Sequence, residues 1–211
     1  MAGKTIIEKI LSARAGKDVS AGDVVWIQID KRTARDFGGA SVVKNLKENY
    51  ESPWIDDPAK TFFTFDCNVP ANTTGYAENQ QICRDFARET GIRVYDVRAG
   101  IGSHVAIERG LARPGEIFVG TDSHLNIMGA VGCFGQGMGD RDIAYIWATG
   151  RNWFSVPSSM RVVLEGSFDY PVSAKDVALA VISELGSAGA LGKVIEFSGP
   201  GCDALSLSGR I

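Results

Sequence analysis

The sequence has no hydrophobic run that approaches the roughly 18 residues of a membrane-spanning helix. Its first residues, Met1-Ala2-Gly3-Lys4, lead directly into an amphipathic helical pattern and not into the apolar core of a secretory signal. We therefore expect neither a membrane partner nor export. With 211 residues, 45% of them hydrophobic and 22% charged, the chain can bury a sizeable core.

The sequence also lacks a strong charge of one sign and a cysteine framework. Its net charge is −3, and lysine and arginine are scattered among aspartate and glutamate without a basic stripe, which argues against a nucleic-acid partner. The four cysteines are far apart and form no Cys-x-x-Cys pair, as is typical of a reduced protein. These features predict a cytoplasmic protein.

Two common catalytic signatures are absent as well. The sequence contains neither the Gly-x-Gly-x-x-Gly of a dinucleotide site nor the Gly-x-Ser-x-Gly of a serine hydrolase. Glycine is nevertheless frequent, at 25 of 211 residues. The small residues between Met128 and Gly139 therefore indicate a closely packed helix and not a nucleotide-binding loop.

Hydrophobic periodicity predicts helices and strands that alternate along the chain. The predicted helices cover residues 5–15, 41–50, 73–91, 128–139, 140–149 and 173–185, and the predicted strands cover residues 23–30, 61–65, 93–97, 117–119, 160–164 and 194–197. This order predicts an α/β protein with mostly parallel sheets and helices on both faces. The α/β region spans residues 1–211, as one unit or as two subdomains.

Polar side chains follow three of the predicted strands, where ligand sites of parallel sheets are found. They are Asp66-Cys67-Asn68, Ser103-His104 and Asp122-Ser123-His124, and they include both histidines of the chain. A carboxylate beside an imidazole can orient it and tune its proton affinity, as general acid–base catalysis requires. Spacing alone also permits Asp122 and Ser123 to cap the next helix while His124 packs.

Cys67 follows Asp66 directly and admits two interpretations. It could act as a nucleophile, but nothing nearby in sequence would lower the pKa of its thiol. A buried structural cysteine is the alternative.

The segment Gly120-Thr121-Asp122-Ser123-His124 strongly resembles the active-site segment of the aconitase superfamily, in particular the large subunits of isopropylmalate and homoaconitate dehydratases. The resemblance runs from end to end. It includes Thr5–Leu11, Arg113–His124, Met128–Ala130, Trp147–Gly150, Ala174–Val177 and Ile195–Pro200.

The resemblance implies a hydro-lyase that removes and re-adds water on small hydroxy di- or tricarboxylic acids. A [4Fe–4S] cluster would act as Lewis acid on the substrate, and a small swivelling-domain subunit would supply a base. By resemblance, Asp66 is the aspartate of an Asp-His pair, and Asp122, Ser123 and His124 line the substrate pocket. The predicted catalytic residues are Asp66, Cys67, His104, Asp122 and His124, with Ser103 and Ser123 as substrate-binding residues.

Three positions depart from the family pattern. The histidine of the Asp-His pair falls on Cys67, and the histidine of a Gly-Ile-x-His motif falls on Ser103. His104 follows one residue later, so a local shift could let it take over that role. The threonine usual after Asp-Ser-His is Leu125.

The family's cluster ligands, in Cys-Thr-Asn and Cys-x-x-Cys motifs, belong to a region later than Ile211, and no cysteine here matches them. A cluster needs protein thiolates, so we predict no metal ligand in this chain and expect a cluster-bearing region as partner. Three hypotheses remain: part of a dehydratase, a non-catalytic binding or regulatory module, or a dehydratase with a different substrate.

Overall fold

The computed structural model of the chain describes residues 3–211 and shows the expected alternation of helices and strands. The chain forms two compact units. One is Gln28–Asn152, and the other combines the residues up to Ile27 with Trp153–Ile211. The predicted α/β class is confirmed by a five-stranded parallel sheet in the first of these units.

The unit Gln28–Asn152 is built around that sheet. Its strands are β2 (Lys31–Arg35), β3 (Thr61–Thr64), β4 (Arg93–Tyr95), β5 (Ile117–Gly120) and β6 (Phe134–Gly137), in the spatial order β4-β3-β2-β5-β6. Its helices are α2 (Gly39–Asn49), α3 (Thr74–Thr90), α4 (Gly102–Glu108) and α5 (Asp140–Thr149), with short 3-10 helices at Pro58–Lys60 and Leu125–Val131. Every neighbouring pair in the sheet is parallel, so all five carboxyl ends meet at one edge.

Both faces of this sheet are covered, as the fold class requires. Successive side chains of a strand point to opposite faces, and β3 is buried throughout. Phe62 packs in a cluster with Val105 of α4 and Met128, whereas the ring of Phe63 lies 5.1 Å from that of Trp147 in α5. The two phenylalanines therefore join the sheet to helices on its two sides.

Strand β2 is the central strand of the sheet and is missing from the sequence prediction. Its residues, Lys-Arg-Thr-Ala-Arg, have no apolar alternation. Arg32 is nonetheless 1% exposed, because Nη1 donates to the carbonyl of Ile146 at 2.9 Å and Nη2 to Asp56 Oδ2 at 2.8 Å. Partners far away in sequence thus allow a charged segment to occupy the middle of the sheet.

The helix predicted at residues 128–139 is wrong. The 3-10 helix Leu125–Val131 ends at Gly132, and strand β6 follows it. A Cβ on Gly137 would lie 2.5 Å from the carbonyl oxygen of Asp122, and one on Gly135 would overlap the carbonyl of Leu125. The glycines therefore serve close packing, as predicted, but of a strand against the loop after β5.

The other predicted helices are observed, and their ends are explained by local sequence. In α3 the side chain of Thr73 accepts the N–H of Tyr76, and Gly91 ends the helix in a left-handed conformation. Helix α4 and strand β7 (Arg151–Ser155) were not predicted. Helix α4 has only 7 residues, too short for a clear amphipathic period.

The second unit contains two small sheets and several helices. It comprises α1 (Ile6–Ala15), β1 (Val24–Gln28), most of β7, β8 (Ser158–Val163), α6 (Ala174–Leu185), β9 (Lys193–Ser198), α7 (Pro200–Asp203) and α8 (Leu207–Arg210). Strand β1 pairs with β7, and β8 pairs with β9 in parallel. Capping boxes start α1 at Thr5 and α6 at Ser173. Across residues 3–211, no helix combines the length and the apolarity needed to cross a membrane.

Candidate active site

The polar residues predicted after β3 and β5 meet at the carboxyl edge of the central sheet. Arg35, the last residue of β2, is in register with Thr64, the last residue of β3. Its backbone N–H also donates to Thr121 Oγ1, just beyond β5, at 2.9 Å. The ends of three adjacent strands are thereby tied together, and Asp66 and Asp122 follow within two residues of them.

Arg35 bridges the two predicted catalytic aspartates. Its Nε donates to Asp66 Oδ1 at 2.7 Å, and its Nη1 donates to Asp122 Oδ1 at 3.0 Å. The carboxylates are almost fully buried, with side chains 3% and 5% exposed, while the arginine side chain is 21% exposed. Burial alone would lower the pKa of Arg35, but the hydrogen bond and charge of Asp66 and the charge of Asp122 raise it.

The carboxylate of Asp122 and the imidazole of His124, which follow β5 two residues apart, are in contact. Asp122 Oδ1 accepts the backbone N–H of His124 at 3.0 Å and lies 3.1 Å from its Nδ1. Ser123 Oγ is farther from that nitrogen, at 3.4 Å. The His124 side chain is 80% exposed, so its remaining nitrogen is accessible from solvent. Asp122 therefore both accepts a backbone N–H at the start of the 3-10 helix and contacts the imidazole, whereas the alternative in which His124 packs in the interior is wrong.

Asp36 holds the Asp66-Cys67 turn in place. Its Oδ1 accepts the backbone N–H groups of Asp66 at 3.2 Å and Cys67 at 3.1 Å, and its Oδ2 accepts from Gln80 Nε2 at 2.9 Å. The side chains of Asp36, Asp66 and Cys67 lie within 4.8 Å of one another. The oxygens of both aspartates are already engaged, however, because Asp66 also accepts the N–H of Gly102 at 2.5 Å. Internal hydrogen bonds are sufficient to account for this grouping.

Cys67 is exposed, so the interpretation as a buried structural cysteine is wrong. Its Sγ lies 3.6 Å from Asp66 Oδ1. Local desolvation, together with the charges of Asp36 and Asp66, raises the pKa of the Cys67 thiol to about 12 against the opposing effect of Arg35. The raised pKa disfavours the thiolate form of Cys67 and favours a role as hydrogen-bond donor over one as nucleophile.

Ser103 and His104 lie in the first turn of α4, close in sequence to the Gly102 N–H that binds Asp66. Ser103 is 4% exposed, and its Oγ lies 3.4 Å from His104 Nδ1. The hydrogen bond from Gly102 brings the start of α4 to Asp66. The roles of Ser103 and His104 stay predictions.

An open cleft of about 500 Å³ lies at the same edge of the sheet, beside Ser123. It is lined mainly by the ends of β5 and β6 and the residues that follow them: Thr121, Ser123, Asn126, Gly135, Gln136, Gly137, Met138 and Gly139. The volume suits a small organic molecule. Ser123 lines this cleft, and its substrate-binding role stays a prediction.

The cysteines of this chain do not fit an iron–sulfur cluster. Cys83 and Cys133 are buried in separate parts of the sheet unit, and Cys202 belongs to the other unit. Burial, with a smaller contribution from Asp36, raises the pKa of Cys83 to about 12, which disfavours the thiolate that a cluster needs. Among residues 3–211, the group of potential metal ligands described above contains one cysteine, Cys67.

Sequence reasoning missed Arg35 and Asp36, the two residues that connect the predicted ones. Both follow a charged segment that carries no strand signal, so nothing in the local pattern placed them at a strand end.

A parallel α/β sheet with an Asp–His pair and a second buried aspartate at its carboxyl edge defines an enzyme-like site. The chain belongs to the Aconitase family (aconitate hydratase), whose sequence profile matches residues 8–211. This confirms the resemblance drawn from the Asp-Ser-His segment.

Individual relatives are similar over the whole chain. It is 43% identical over 211 residues to the 3-isopropylmalate dehydratase large subunit 1 of Methanopyrus kandleri, covering 99% of this chain and 50% of that protein. It is 39% identical over 216 residues to the probable methanogen homoaconitase large subunit of Methanothermobacter thermautotrophicus, covering 100% of this chain and 50% of the relative. The chain thus spans about half the length of the curated relatives it matches.

Proposed function

We propose that this chain is part of a hydro-lyase that dehydrates and rehydrates small hydroxy di- or tricarboxylic acids, such as isopropylmalate or homoaconitate. The observation that carries the proposal is the contact of buried Asp122 with His124 at the edge of the sheet, where Arg35 also joins Asp122 to Asp66, in a chain of the Aconitase family. Relatives named as 3-isopropylmalate dehydratase and homoaconitase large subunits support the substrate class.

The residues of this chain would move the proton and orient the substrate. A carboxylate accepts hydrogen bonds only, so the 3.1 Å contact with Asp122 favours a proton on His124 Nδ1 and leaves Nε2 to exchange a proton with the substrate. Asp66 and the protonated thiol of Cys67 would act at the departing hydroxyl, with His104 near the same turn. Ser123, in the cleft, and Ser103 would bind the substrate's oxygens.

Two partners complete the proposal. The names of the relatives as large subunits support a small subunit. The family membership implies a [4Fe–4S] cluster, and since the thiols of this chain do not suit one, its ligands would come from a cluster-bearing region on another polypeptide segment. That cluster would supply Lewis-acid chemistry. A cytoplasmic location is part of the same proposal.

A non-catalytic binding or regulatory module is the second candidate. It is favoured by Cys67, whose thiol with a pKa of about 12 is a poor substitute for an imidazole that must gain and lose protons near neutral pH. Such a module would keep an anion-binding cleft without turnover.

One experiment separates the two. The chain is combined with a candidate small subunit and a cluster-bearing polypeptide, iron and sulfide are supplied anaerobically, and hydration of maleate, citraconate and aconitate is followed by loss of the C=C absorbance. Turnover that disappears in His124→Ala supports the hydro-lyase. Calorimetric binding of malate or citrate without turnover, unchanged by His124→Ala, would support the module, and neither binding nor turnover would reject both.

A further inference from the structure

Arg35 is the one cation hydrogen-bonded to both predicted catalytic aspartates among the described residues, and neither sequence motif nor family resemblance assigns it a role. We propose that Arg35 is a positioning residue of the active site, which holds Asp122 in the orientation that selects the tautomer of His124. The proposal deepens the proposed function and rests on it for its catalytic meaning, but its structural content can be tested on the chain alone.

Electrostatics makes the need for such a residue clear. Two carboxylates that are 3% and 5% exposed cannot remain buried and charged without compensation. Asp66 receives one other hydrogen bond from a backbone N–H, that of Gly102, and Asp122 receives one from His124. The guanidinium supplies the positive charge, and its planar fork reaches both acids at once, which a lysine ammonium could not match in geometry.

Geometry shows how the effect reaches His124. A single oxygen, Asp122 Oδ1, accepts from Arg35 Nη1 at 3.0 Å and lies 3.1 Å from His124 Nδ1. The arginine therefore fixes the very atom that faces the imidazole. The other charged or titratable groups close to Arg35 are Asp66 and Cys67. Asp36 accepts the backbone N–H groups of these two residues. In the described part of the chain, the ring nitrogen Nδ1 of His124 faces Asp122 and Ser123 and none of these three groups.

Arg35 itself is held rigidly enough to act in this way. It ends the central strand, where it pairs in register with Thr64, and its backbone N–H is bound by Thr121 Oγ1 at 2.9 Å. Its side chain is 21% exposed, so it lies at the boundary between the sheet and the open edge. A side chain anchored at its backbone and at two nitrogens loses little further freedom when substrate binds.

The test is the tautomer of His124, read from ¹⁵N chemical shifts of the two ring nitrogens at about pH 8.5, where an ordinary imidazole is neutral. The chain has two histidines, so His124→Ala assigns the spectrum. We expect the Nδ1–H form to dominate in the parent chain and to fall below about half in Arg35→Gln. Arg35→Lys, which keeps the charge, should restore part of the Nδ1–H population.

Two further variants make the result decisive. Arg88→Gln removes the same charge from an exposed ion pair with Asp85 on α3, and should leave the tautomer unchanged. If Arg35→Gln does not fold, the double variant Arg35→Gln/Asp66→Asn removes one charge of each sign and is measured instead. A folded variant without Arg35 that keeps the parent tautomer would overturn the proposal.

Failure here and failure of the proposed function are distinguishable. The tautomer is measured without partners, substrate or cluster. If Arg35→Gln lowers the Nδ1–H population as expected but no assembled complex turns over, Arg35 is a positioning residue of an inactive site. In an assembled active complex, Arg35→Gln should lower kcat more than it raises KM, with partial recovery in Arg35→Lys. Equal kcat values for Arg35→Gln and Arg88→Gln would contradict the positioning role.

Discussion

The Oδ1 atom of Asp122 accepts the backbone N–H of His124 at 3.0 Å and approaches its ring Nδ1 at 3.1 Å. The same carboxylate therefore defines both where the backbone of His124 lies and which ring nitrogen faces it. Because Asp122 is buried and the ring of His124 is 80% exposed, the pair joins the interior of the sheet to the surface from which a substrate would arrive. This relationship underlies the first prediction.

Asp122→Asn should abolish most of the activity of the assembled enzyme. An amide of the same size neither neutralises Arg35 nor fixes the tautomer of His124, so kcat should fall by about 10²–10⁴-fold. Steady-state kinetics with an unsaturated dicarboxylate measures the effect. Asp85→Asn, which alters an exposed carboxylate on α3, is the matched control. A kcat within about twofold of the parent would contradict an acid–base role for the pair.

Gly137→Ala should destabilise the sheet unit. The added Cβ would lie 2.5 Å from the carbonyl oxygen of Asp122, and a displaced β6 loses contacts along its length, so the free energy of unfolding should drop by about 1–3 kcal/mol. Urea denaturation followed by circular dichroism checks this value. Gly75→Ala, in the first turn of α3 with no atom within 4 Å of the new Cβ, should be neutral or stabilising by up to about 1 kcal/mol. Equal effects of the two variants would argue against close packing at Gly137.

The buried thiol of Cys83 should make stability fall at high pH. Burial raises its pKa to about 12 in the folded chain, whereas an unfolded thiol titrates near 8.5–9, so the unfolded state releases its proton first. The contribution is fully present below about pH 9 and is lost as the pH rises towards 12, by about 1.4 kcal/mol per pH unit.

Comparing Cys83→Ala with the parent separates the contribution of the Cys83 thiol to stability from that of other groups that titrate in the same pH range. Its stability deficit relative to the parent should shrink by about 2 kcal/mol between pH 8 and pH 10.5 in urea denaturation. Cys202→Ala leaves the buried thiol in place and should follow the parent's pH dependence. A deficit of Cys83→Ala that stays constant with pH would show that the thiol titrates alike in both states.

Cys67 should react slowly with alkylating reagents although it is exposed. With a pKa of about 12 its thiolate fraction at pH 8 is about 10³-fold below that of a free cysteine, partly offset by the higher nucleophilicity of a more basic thiolate, so iodoacetamide should modify it about 30–100-fold more slowly than a cysteine peptide. The rate should rise about tenfold per pH unit up to pH 10. Mass spectrometry of the Cys67 peptide, with Cys67→Ser to verify its assignment, gives the rate. A rate at pH 8 equal to that of the peptide would mean that Cys67 is ionised and available as a nucleophile.

Much of the helical structure followed from local sequence. Thr73 and Gly91 bound α3, and Ser173 with Asp176 starts α6, because capping groups act within one turn of the helix they end. The aspartates at the ends of β3 and β5 were identified because apolar strands are easily recognised and parallel strands share one carboxyl edge.

Interactions between distant residues could not be read in the same way. Arg35 lies 31 positions from Asp66 and 87 positions from Asp122. No short stretch of the sequence therefore contains both members of either ion pair. The charged strand β2 and the glycine-rich strand β6 were missed for the same reason. Strand β2 is stabilised by a carboxylate and a carbonyl on other elements. Strand β6 is stabilised by close packing against the backbone of the loop after β5.

The sequence by itself determined the α/β class, the capped helices and the family, and it placed Asp122 and His124 together after a strand, because each of these depends on residues close together or on a contiguous motif. Only the tertiary structure decided that Arg35 joins Asp122 to Asp66 and that Cys67 is exposed although the pKa of its thiol is raised. Charge compensation and desolvation are set by which atoms meet in three dimensions, and that neighbourhood forms only when the five strands align at one edge.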